Sequence, residues 1–190
     1  MDYLIRCCFM VLSCALVGCA STSNPQDPFE DFNRTMFRFN EKVDEAALKP
    51  AAETYRKVLS PVIQVGVGNF FGNVDDVSTA CNNLMQARIN DGLSDTSRVL
   101  LNSTLGLAGV IDVASGLGLS KHDEDFGQTL GRWGVRSGPY LVLPLLGPTT
   151  LRDALAKPID FEMDPWGHLF PVRLRNIGSA VRGLIFGHTI

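Results

Sequence analysis

The regular spacing of apolar residues near the start of the chain constrains its fold most strongly. Six of them follow one another at intervals of 3, 4, 3, 4 and 3, namely Phe29, Phe32, Met36, Phe39, Val43 and Ala46. Because an α-helix turns once every 3.6 residues, these side chains fall on one helical face. The N-terminal half shows no strand-like alternation of useful length. The sequence therefore predicts a mostly α-helical fold with little or no sheet.

Further helices are predicted along the chain, because apolar residues recur at helical spacing between prolines, glycines and acidic residues. The predicted boundaries are Lys49–Pro50 for the end of the first helix, Ser60–Pro61 for the end of the second, Gly72 for the end of the third, and Asp75 or Asp76 for the start of the fourth. A fifth helix is predicted over residues 95–105, with Val99, Leu100 and Leu101 buried.

The first 19 residues have the layout of a bacterial lipoprotein signal peptide. Arg6 precedes an apolar run of 11 residues, Cys7 to Val17. That run is too short to cross a bilayer, which takes about 20 residues. It ends in Leu-Val-Gly-Cys19, which resembles a lipobox, where the cysteine thiol receives diacylglycerol before cleavage. We expect residues 1–18 to be removed and Cys19 to carry the lipid; the alternative is an ordinary signal peptide with a chance cysteine.

Residues 19–28 are predicted to be the lipidated cysteine and a polar tether, followed by one helical domain over residues 29–190. The tether is proline-punctuated and lacks periodicity. The formal net charge of −3 is too small to predict a nucleic-acid partner. Ala20, which is not acidic, follows Cys19; by analogy with enterobacterial sorting, this favours the periplasmic side of the outer membrane. Cys81 is expected to be a small buried hydrophobe.

Two apolar stretches are unusual for a soluble protein. Residues 105–119 carry a single charge, Asp112, among four glycines, and residues 138–148 carry no charge. Either stretch could form buried core, or it could face lipid as an exposed apolar patch or a glycine-rich packing surface. Their prolines and glycines argue against a simple spanning helix.

No residue pattern predicts catalysis, a metal site or a cofactor. The histidines His122, His168 and His188 lack a second ligand at metal-binding spacing. His122 lies in a charged run that is typical of a solvated loop, and Ser115 is outside the Gly-x-Ser-x-Gly pattern of hydrolases. The acidic pairs Asp75-Asp76 and Asp160 with Glu162 are typical of helix caps or solvated positions. We therefore expect a protein that is not an enzyme.

Several longer motifs occur in a distinctive order. They are Asp-Pro-Phe-Glu-Asp-Phe-Asn-Arg-Thr-Met-Phe-Arg-Phe-Asn (27–40), Gly-Asn-Phe-Phe-Gly-Asn (68–73), residues 101–114, Glu-Asp-Phe-Gly-Gln-Thr-Leu-Gly-Arg-Trp-Gly-Val (124–135), residues 138–148 and Leu-Arg-Asp (151–153). In these motifs the chain resembles the MlaA family, also called VacJ, outer-membrane lipoproteins of phospholipid trafficking. The resemblance runs from the lipobox to about Asp160.

The resemblance implies a helical ring embedded in the outer membrane that encloses an amphipathic channel and associates with trimeric porins. It implies that mislocalised phospholipids pass from the outer leaflet to a periplasmic carrier protein, which maintains lipid asymmetry without catalysis. The residues that we predict along the lipid path are Phe39, Leu107, Ile111, Asp112 and Leu143. For Asp112, a structural hydrogen-bonding role is the alternative.

The C-terminus departs from the family pattern. Family members continue through a further helix and a polar tail, whereas residues 175–190 begin like the approach to that helix and end in Phe-Gly-His-Thr-Ile. We expect a truncated or frameshifted member, and such a change would affect channel closure and carrier docking. Two other functions remain open: a porin-associated scaffold lipoprotein without transport activity, and a lipid or cell-wall hydrolase.

Overall fold

The structure, a computed structural model, describes residues 27–169 and 171–186. The predicted signal peptide, Cys19, most of the predicted tether and His188 lie outside the described residues. Within them the chain is mostly helical, as predicted. The helices are α1 (Glu30–Val43), α2 (Lys49–Val58), α3 (Pro61–Met85), α4 (Ile89–Thr104), α5 (Val113–Gly116), α6 (Phe126–Arg132), α7 (Leu151–Met163) and α8 (Val172–Phe186), and the strands are β1 (Tyr140–Leu143) and β2 (Gly147–Thr150).

The predicted end of the first helix at Lys49–Pro50 is wrong. A π-helical turn, Asp44–Leu48, joins α1 to α2, and Pro50 lies in the first turn of α2. Backbone N–H groups in the first turn of a helix have no partner within it, so proline is tolerated there. The predicted end at Ser60–Pro61 is confirmed, because α2 ends at Val58 and Pro61 starts α3.

Two further helix boundaries differ from the prediction. The helix α3 continues through Gly72 and past Asp75 as one element of 25 residues. A single internal glycine costs only about 1 kcal/mol relative to alanine, and packing against α4 offsets it. The helix α4 begins at Ile89, six residues before the predicted start. Together α3 and α4 form a helical hairpin with the most extensive interface among the described elements.

The strands β1 and β2 form an antiparallel hairpin that docks on α1 through two asparagines. The register pairs Tyr140 with Thr150 and Leu143 with Gly147. Asn33 accepts from the Val142 backbone N–H at 2.8 Å and donates to the Tyr140 carbonyl at 3.2 Å. Asn40, two helical turns later, donates to the Leu143 carbonyl at 2.9 Å. Each buried asparagine amide thus hydrogen-bonds to the backbone of β1, as a neighbouring strand would.

The interior of the described structure is unusually polar. Its six largest side chains with under 2% exposure are all polar, namely Arg98, Asn82, Asn83, Thr129, Asp76 and Asp95. Large apolar side chains are exposed on every helix from α1 to α4, among them Phe37, Val62, Leu93 and Leu100. Polar groups are usually outside and form a core only when hydrogen bonds satisfy them. In this fold, polar side chains therefore fill much of the interior and large apolar side chains lie on the surface, an arrangement called here inverted polarity.

The inverted polarity explains two wrong predictions of burial. Leu100 is 62% exposed, whereas Val99 and Leu101 are half-buried; α4 instead buries Asp95, Arg98 and Asn102. Cys81 is exposed, because α3 buries Thr79, Ala80, Asn82 and Asn83, which leaves position 81 on the opposite face.

The first apolar stretch, residues 105–119, lies mostly on the surface. Leu105, Leu107, Val110, Ile111 and Leu117 are all exposed. The second stretch, residues 138–148, forms the β-hairpin and divides its side chains between the two environments. Leu141 and Val142 are buried, whereas Tyr140, Leu145 and Leu146 are exposed. None of the described helices combines the length and apolar character needed to cross a membrane.

Candidate functional site

The largest candidate site is a cavity of about 770 Å³, called here the large cavity. Polar residues of α3, the segment before α6, and the helices α7 and α8 line most of it. Leu146, Phe161 and Trp166 supply apolar surface. Its volume falls within the usual range for small-molecule sites, roughly 300–1,000 Å³. The cavity can therefore present polar and apolar groups to one bound molecule.

The wall of the large cavity is rich in carboxylates that are held by ion pairs. The acidic lining residues are Asp75, Asp123, Glu124, Asp125, Asp160 and Asp164. Lys157 lies 3.4 Å from Asp125 and 3.5 Å from Asp160. Burial raises the pKa of the Asp160 carboxyl, although the Phe126 backbone N–H and Lys157 oppose this. Since Lys157 is the centre of this cluster, it sets the spacing between α7 and the segment before α6.

A second cavity of about 540 Å³, called here the side cavity, adjoins the large one. Asp75, Thr79, Asp123 and Arg182 line both of them. At this boundary the Arg182 guanidinium forms ion pairs with Asp75 and, at 2.6 Å, with Asp164. The boundary is therefore made by one side chain of α8 held between α3 and the segment after α7.

The Asp75 carboxyl at this boundary has a perturbed pKa. Burial raises the pKa of Asp75 to about 6, and the neighbouring charge of Arg182 opposes that rise. The negative charges of Asp164 and Asp76 raise this pKa further, and the positive charge of Lys121 lowers it. The charge of Asp75 is therefore sensitive to small changes near pH 6.

Arg98 organises a buried ionic network inside the α3–α4 hairpin. Its Nε lies 3.3 Å from Asp76 Oδ2, and its Nη2 lies 3.1 Å from Asp112 Oδ2. Nη1 donates to the Leu119 carbonyl at 2.7 Å and to Ser115 Oγ at 3.1 Å. This network joins both long helices to the first apolar stretch.

Asp112 belongs to the structural network, which favours the alternative interpretation of this residue. It caps the N-terminus of α5 by accepting from the Ser115 backbone N–H at 3.0 Å. Burial alone would raise the pKa of Asp112, but hydrogen bonds from Ser115, Asn102 and Arg98 outweigh it and hold the pKa well below its usual range. A carboxylate with this many donors holds the apolar stretch to the helical hairpin.

His122 lies in a loop in which Lys121 and Asp123 are exposed, as predicted, but the His122 side chain is itself half-buried. Its Nδ1 lies 2.8 Å from Asp95 Oδ1, and Asp95 is fully buried where it also accepts from Asn83 at 2.7 Å. His122 lines the side cavity. Asp95 anchors the loop after α5 on α4, since it accepts from both partners. The acidic residue Asp76 is likewise buried in the Arg98 network and is neither a helix cap nor solvated.

The five residues predicted along the lipid path lie in two parts of the fold. Leu107, Ile111 and Asp112 belong to the first apolar stretch, whereas Phe39 precedes Asn40, which donates to the Leu143 carbonyl. Phe39 is exposed on α1, and Leu107 and Ile111 are exposed in the loop after α4, with Leu107 69% exposed. Leu143 borders a smaller cavity that shares Asp125, Leu146 and Lys157 with the large cavity. None of the five is a described lining residue of the large cavity. Their role in lipid contact stays a prediction.

The described residues contain no group of three or more histidine, cysteine or acidic side chains arranged to hold a metal ion. Ser115 Oγ donates to Asp112 Oδ2 at 2.5 Å within the Arg98 network. His168 Nε2 lies 2.8 Å from the Glu162 carbonyl. Both side chains thus have structural partners.

Sequence reasoning missed the polar residues that form the interior. On α3 they recur at helical spacing, as Asn73, Asp76, Thr79 and Asn83, and Gln86 follows directly after the helix. Gln86 and Asn82 continue the network to Thr129 on α6, at 3.2 Å and 2.8 Å. The signal was available as a polar stripe, but such stripes usually face water.

Comparison with known proteins places this arrangement in a family. A family model described as MlaA lipoprotein matches residues 25–185. The chain belongs to the MlaA lipoprotein family. It is also similar to the protein in a solved structure that carries the description "Structural basis for maintenance of bacterial outer membrane lipid asymmetry". The TM-score is 0.73 at 32% identity, covering 86% of this chain and 83% of that one.

Curated relatives extend the MlaA comparison. The chain is 40% identical to the intermembrane phospholipid transport system lipoprotein MlaA of Escherichia coli, over 73% of this chain and 58% of that protein. The corresponding protein of Haemophilus influenzae is 34% identical, over 77% and 62%. An uncharacterized protein of Rickettsia felis is 41% identical, over 67% and 51%. The chain thus spans about half the length of the curated relatives that it matches.

Proposed function

We propose that this MlaA-family chain is an outer-membrane lipoprotein that moves mislocalised phospholipids from the outer leaflet to a periplasmic carrier. This role would maintain lipid asymmetry, and it requires no catalytic step. The inverted polarity of the fold is the observation that carries the proposal. The names of the E. coli and H. influenzae relatives, which describe phospholipid transport, support it.

The exposed apolar side chains suit a helical ring that lies in the membrane. An acyl-chain environment favours surfaces such as Leu105, Leu107 and Leu117, which would be costly to leave in water. The buried Arg98 network holds this surface in place from the polar side. Apolar groups thus meet lipid, while polar groups satisfy one another inside the body.

The large cavity supplies the polar half of a lipid path. A phospholipid headgroup that enters hydrocarbon without partners costs several kcal/mol per polar group, roughly. The carboxylates of the large cavity can accept hydrogen bonds from a headgroup ammonium, and Lys157 can donate to its phosphate. Phe161 and Trp166 offer apolar contact for the glycerol and upper acyl chains. A lipid could therefore keep its headgroup in the cavity while its tails remain in an apolar environment.

The anchor and the partners complete the proposal. Lipidated Cys19, followed by the short tether to residue 28, would hold the body at the periplasmic face of the outer membrane. Several acyl chains bind a membrane far more firmly than a single one. Trimeric porins would be the partners within the membrane, and a soluble lipid carrier would be the partner in the periplasm.

The proposal is tested by deleting the gene in its host and labelling outer-leaflet phospholipids with a reagent that cannot cross the membrane. We expect excess labelling in the deletion strain and its return to the parental value when the chain is restored. Restoring a Cys19→Ala chain should not correct the labelling. Unchanged labelling in the deletion strain would overturn the proposal, and porin co-purification without a lipid phenotype would indicate a scaffold instead.

A further inference from the structure

The boundary between the two cavities depends on a single residue of α8. Arg182 lines both cavities, and so does its partner Asp75 on α3. The guanidinium uses Nη2 for Asp75 and Nη1 for Asp164. A molecule that passed from one cavity to the other would pass this ion pair, because Arg182 and Asp75 both lie where the cavities adjoin.

The helix α8 is fixed firmly at a point before Arg182. The indole Nε1 of Trp166 donates to the Arg175 carbonyl at 3.0 Å, and Arg175 Nη1 donates to the Gly167 carbonyl at 3.1 Å. One turn further on, Gly178 lies against the Trp166 ring so closely that a Cβ there would overlap the ring. Arg175, Gly178 and Arg182 share one helical face because they are three and four residues apart.

The contacts of α8 at Trp166 and at Arg182 differ in strength. Trp166 is buried, with its ring 5.1 Å from that of Phe71 in an edge-to-face arrangement. The ion pairs of Arg182 are partly exposed, with 25% of the arginine side chain and 34% of the Asp75 side chain accessible. Partly exposed ion pairs contribute little net stability, so they can open without disturbing the fold. The ion pairs of Arg182 can therefore open while Gly178 stays on Trp166.

We propose that Arg182 is a latch, which closes the passage between the two cavities by binding Asp75 and Asp164 and opens it when α8 swings about Gly178. The inference rests on the proposed function, since the passage would be a route for a phospholipid headgroup. A closed latch leaves the headgroup in the large cavity. An open latch joins the two cavities into one path.

The test measures transfer of a fluorescent phosphatidylethanolamine between vesicles by the purified full chain and its variants. Arg182→Ala and Asp75→Asn should each raise the transfer rate several-fold, and Arg182→Lys, which keeps the charge, should give an intermediate rate. Arg173→Ala is the matched control, because Arg173 is exposed on the same helix. It should transfer at the wild-type rate.

Amide hydrogen exchange on the same samples provides a readout that does not depend on transfer. Exchange over residues 179–186 should be faster in Arg182→Ala and Asp75→Asn, and exchange over α4 should be unchanged. Wild-type transfer and exchange in Arg182→Ala would overturn the latch, and so would slower transfer despite faster exchange. A third result is that the wild-type protein transfers no lipid while exchange over residues 179–186 is still faster in the two variants. That result would contradict the proposed function but would support the mobility of the Arg182 ion pair.

Discussion

Arg98 Nε lies 3.3 Å from Asp76 Oδ2 in the interior of the α3–α4 hairpin, where the two side chains are 2% and 1% exposed. Lys121 also pairs with Asp76, and Asp112 pairs with Arg98. Two carboxylates and two cations are therefore joined between the long helices and the first apolar stretch. The stretch contributes exposed apolar side chains, and the ionic network fixes the backbone beneath them.

Replacement of Arg98 should destabilise the protein severely. Arg98→Ala leaves Asp76 as a buried carboxylate with one remaining ion-pair partner, and breaking a buried pair in this way typically costs about 3–5 kcal/mol. We expect a loss of this size in the free energy of unfolding, measured by denaturant titration in detergent. Arg38→Ala, at an exposed position of α1, should change it by less than about 0.5 kcal/mol. Equal stability of the two variants would contradict the importance of the network.

The helices could be predicted from the sequence, but the faces that they bury could not. The 3,4 spacing of apolar residues identified α1 correctly, yet the buried residues of α1 are Asn33 and Asn40. The same reversal placed Cys81 and Leu100 on the surface. Periodicity reports that a helix has two unlike faces, and the surroundings determine which face is inside. A membrane environment reverses the usual assignment, because apolar side chains are then favoured on the outside.

Gly178 should be intolerant of any side chain. Gly178→Val would force α8 away from Trp166, because the added Cβ overlaps the indole ring. We expect the fluorescence of Trp166 to shift to longer wavelength as the ring becomes exposed, measured in a Trp133→Phe background. Gly183→Val is the matched control, since no atom outside the helix lies within 4 Å of a Cβ at that position. A shift in the control of the same size would show that the contact with Trp166 is not the cause.

At Leu107, the effect of the apolar side chain on membrane binding can be tested separately from the effect of the backbone conformation. Its φ is 53°, in the left-handed region that asparagine adopts more readily than leucine, and Ala108 has a φ of 59°. Leu107→Asn should therefore preserve or raise stability while weakening binding to phospholipid vesicles, by roughly tenfold for a leucine that enters lipid. Ala108→Asn should leave vesicle binding unchanged, because it changes little apolar surface. Both are measured by vesicle flotation of a soluble form without the acyl chains; equal binding of the two variants would contradict lipid contact at Leu107.

Acidification should open the Arg182 latch. With the pKa of Asp75 raised to about 6, this carboxyl is mostly ionised at pH 7.5 and gains a proton by pH 5.5, which weakens its ion pair. Since the pKa is raised in the folded state, protonation of Asp75 favours the fold, and its stabilising contribution is lost only as pH rises through 6. Phospholipid transfer should therefore be faster at pH 5.5 without unfolding. The other charged or titratable groups around Asp75 are Arg182, Asp164, Asp76, Lys121, His122 and Asp123.

The Asp75→Asn variant tests whether the Asp75 carboxyl, and not one of these neighbours, causes the pH dependence. The variant should transfer lipid at a rate that no longer depends on pH between 5.5 and 7.5. A pH dependence that persists in Asp75→Asn would assign the effect to another group.

The candidate site was less predictable than the fold. Leu107 and Ile111 were singled out because an apolar run with one charge departs from ordinary loop composition. Both are exposed in the structure, and their contact with lipid stays a prediction. The large cavity was not found, since its lining comes from five separate segments, which only tertiary packing brings together. Asp75 and Arg182 are 107 positions apart in the chain, and no local pattern relates them.

Photocrosslinking of phospholipid in intact cells tests the proposed lipid path most directly. A phosphatidylethanolamine with a photoreactive group on its headgroup should form adducts on the peptides of α7 and α8 that line the large cavity. The same lipid with the group on an acyl chain should label the exposed apolar residues of the first apolar stretch. Headgroup adducts that occur only on this stretch and never in the large cavity would contradict passage of the headgroup through the interior.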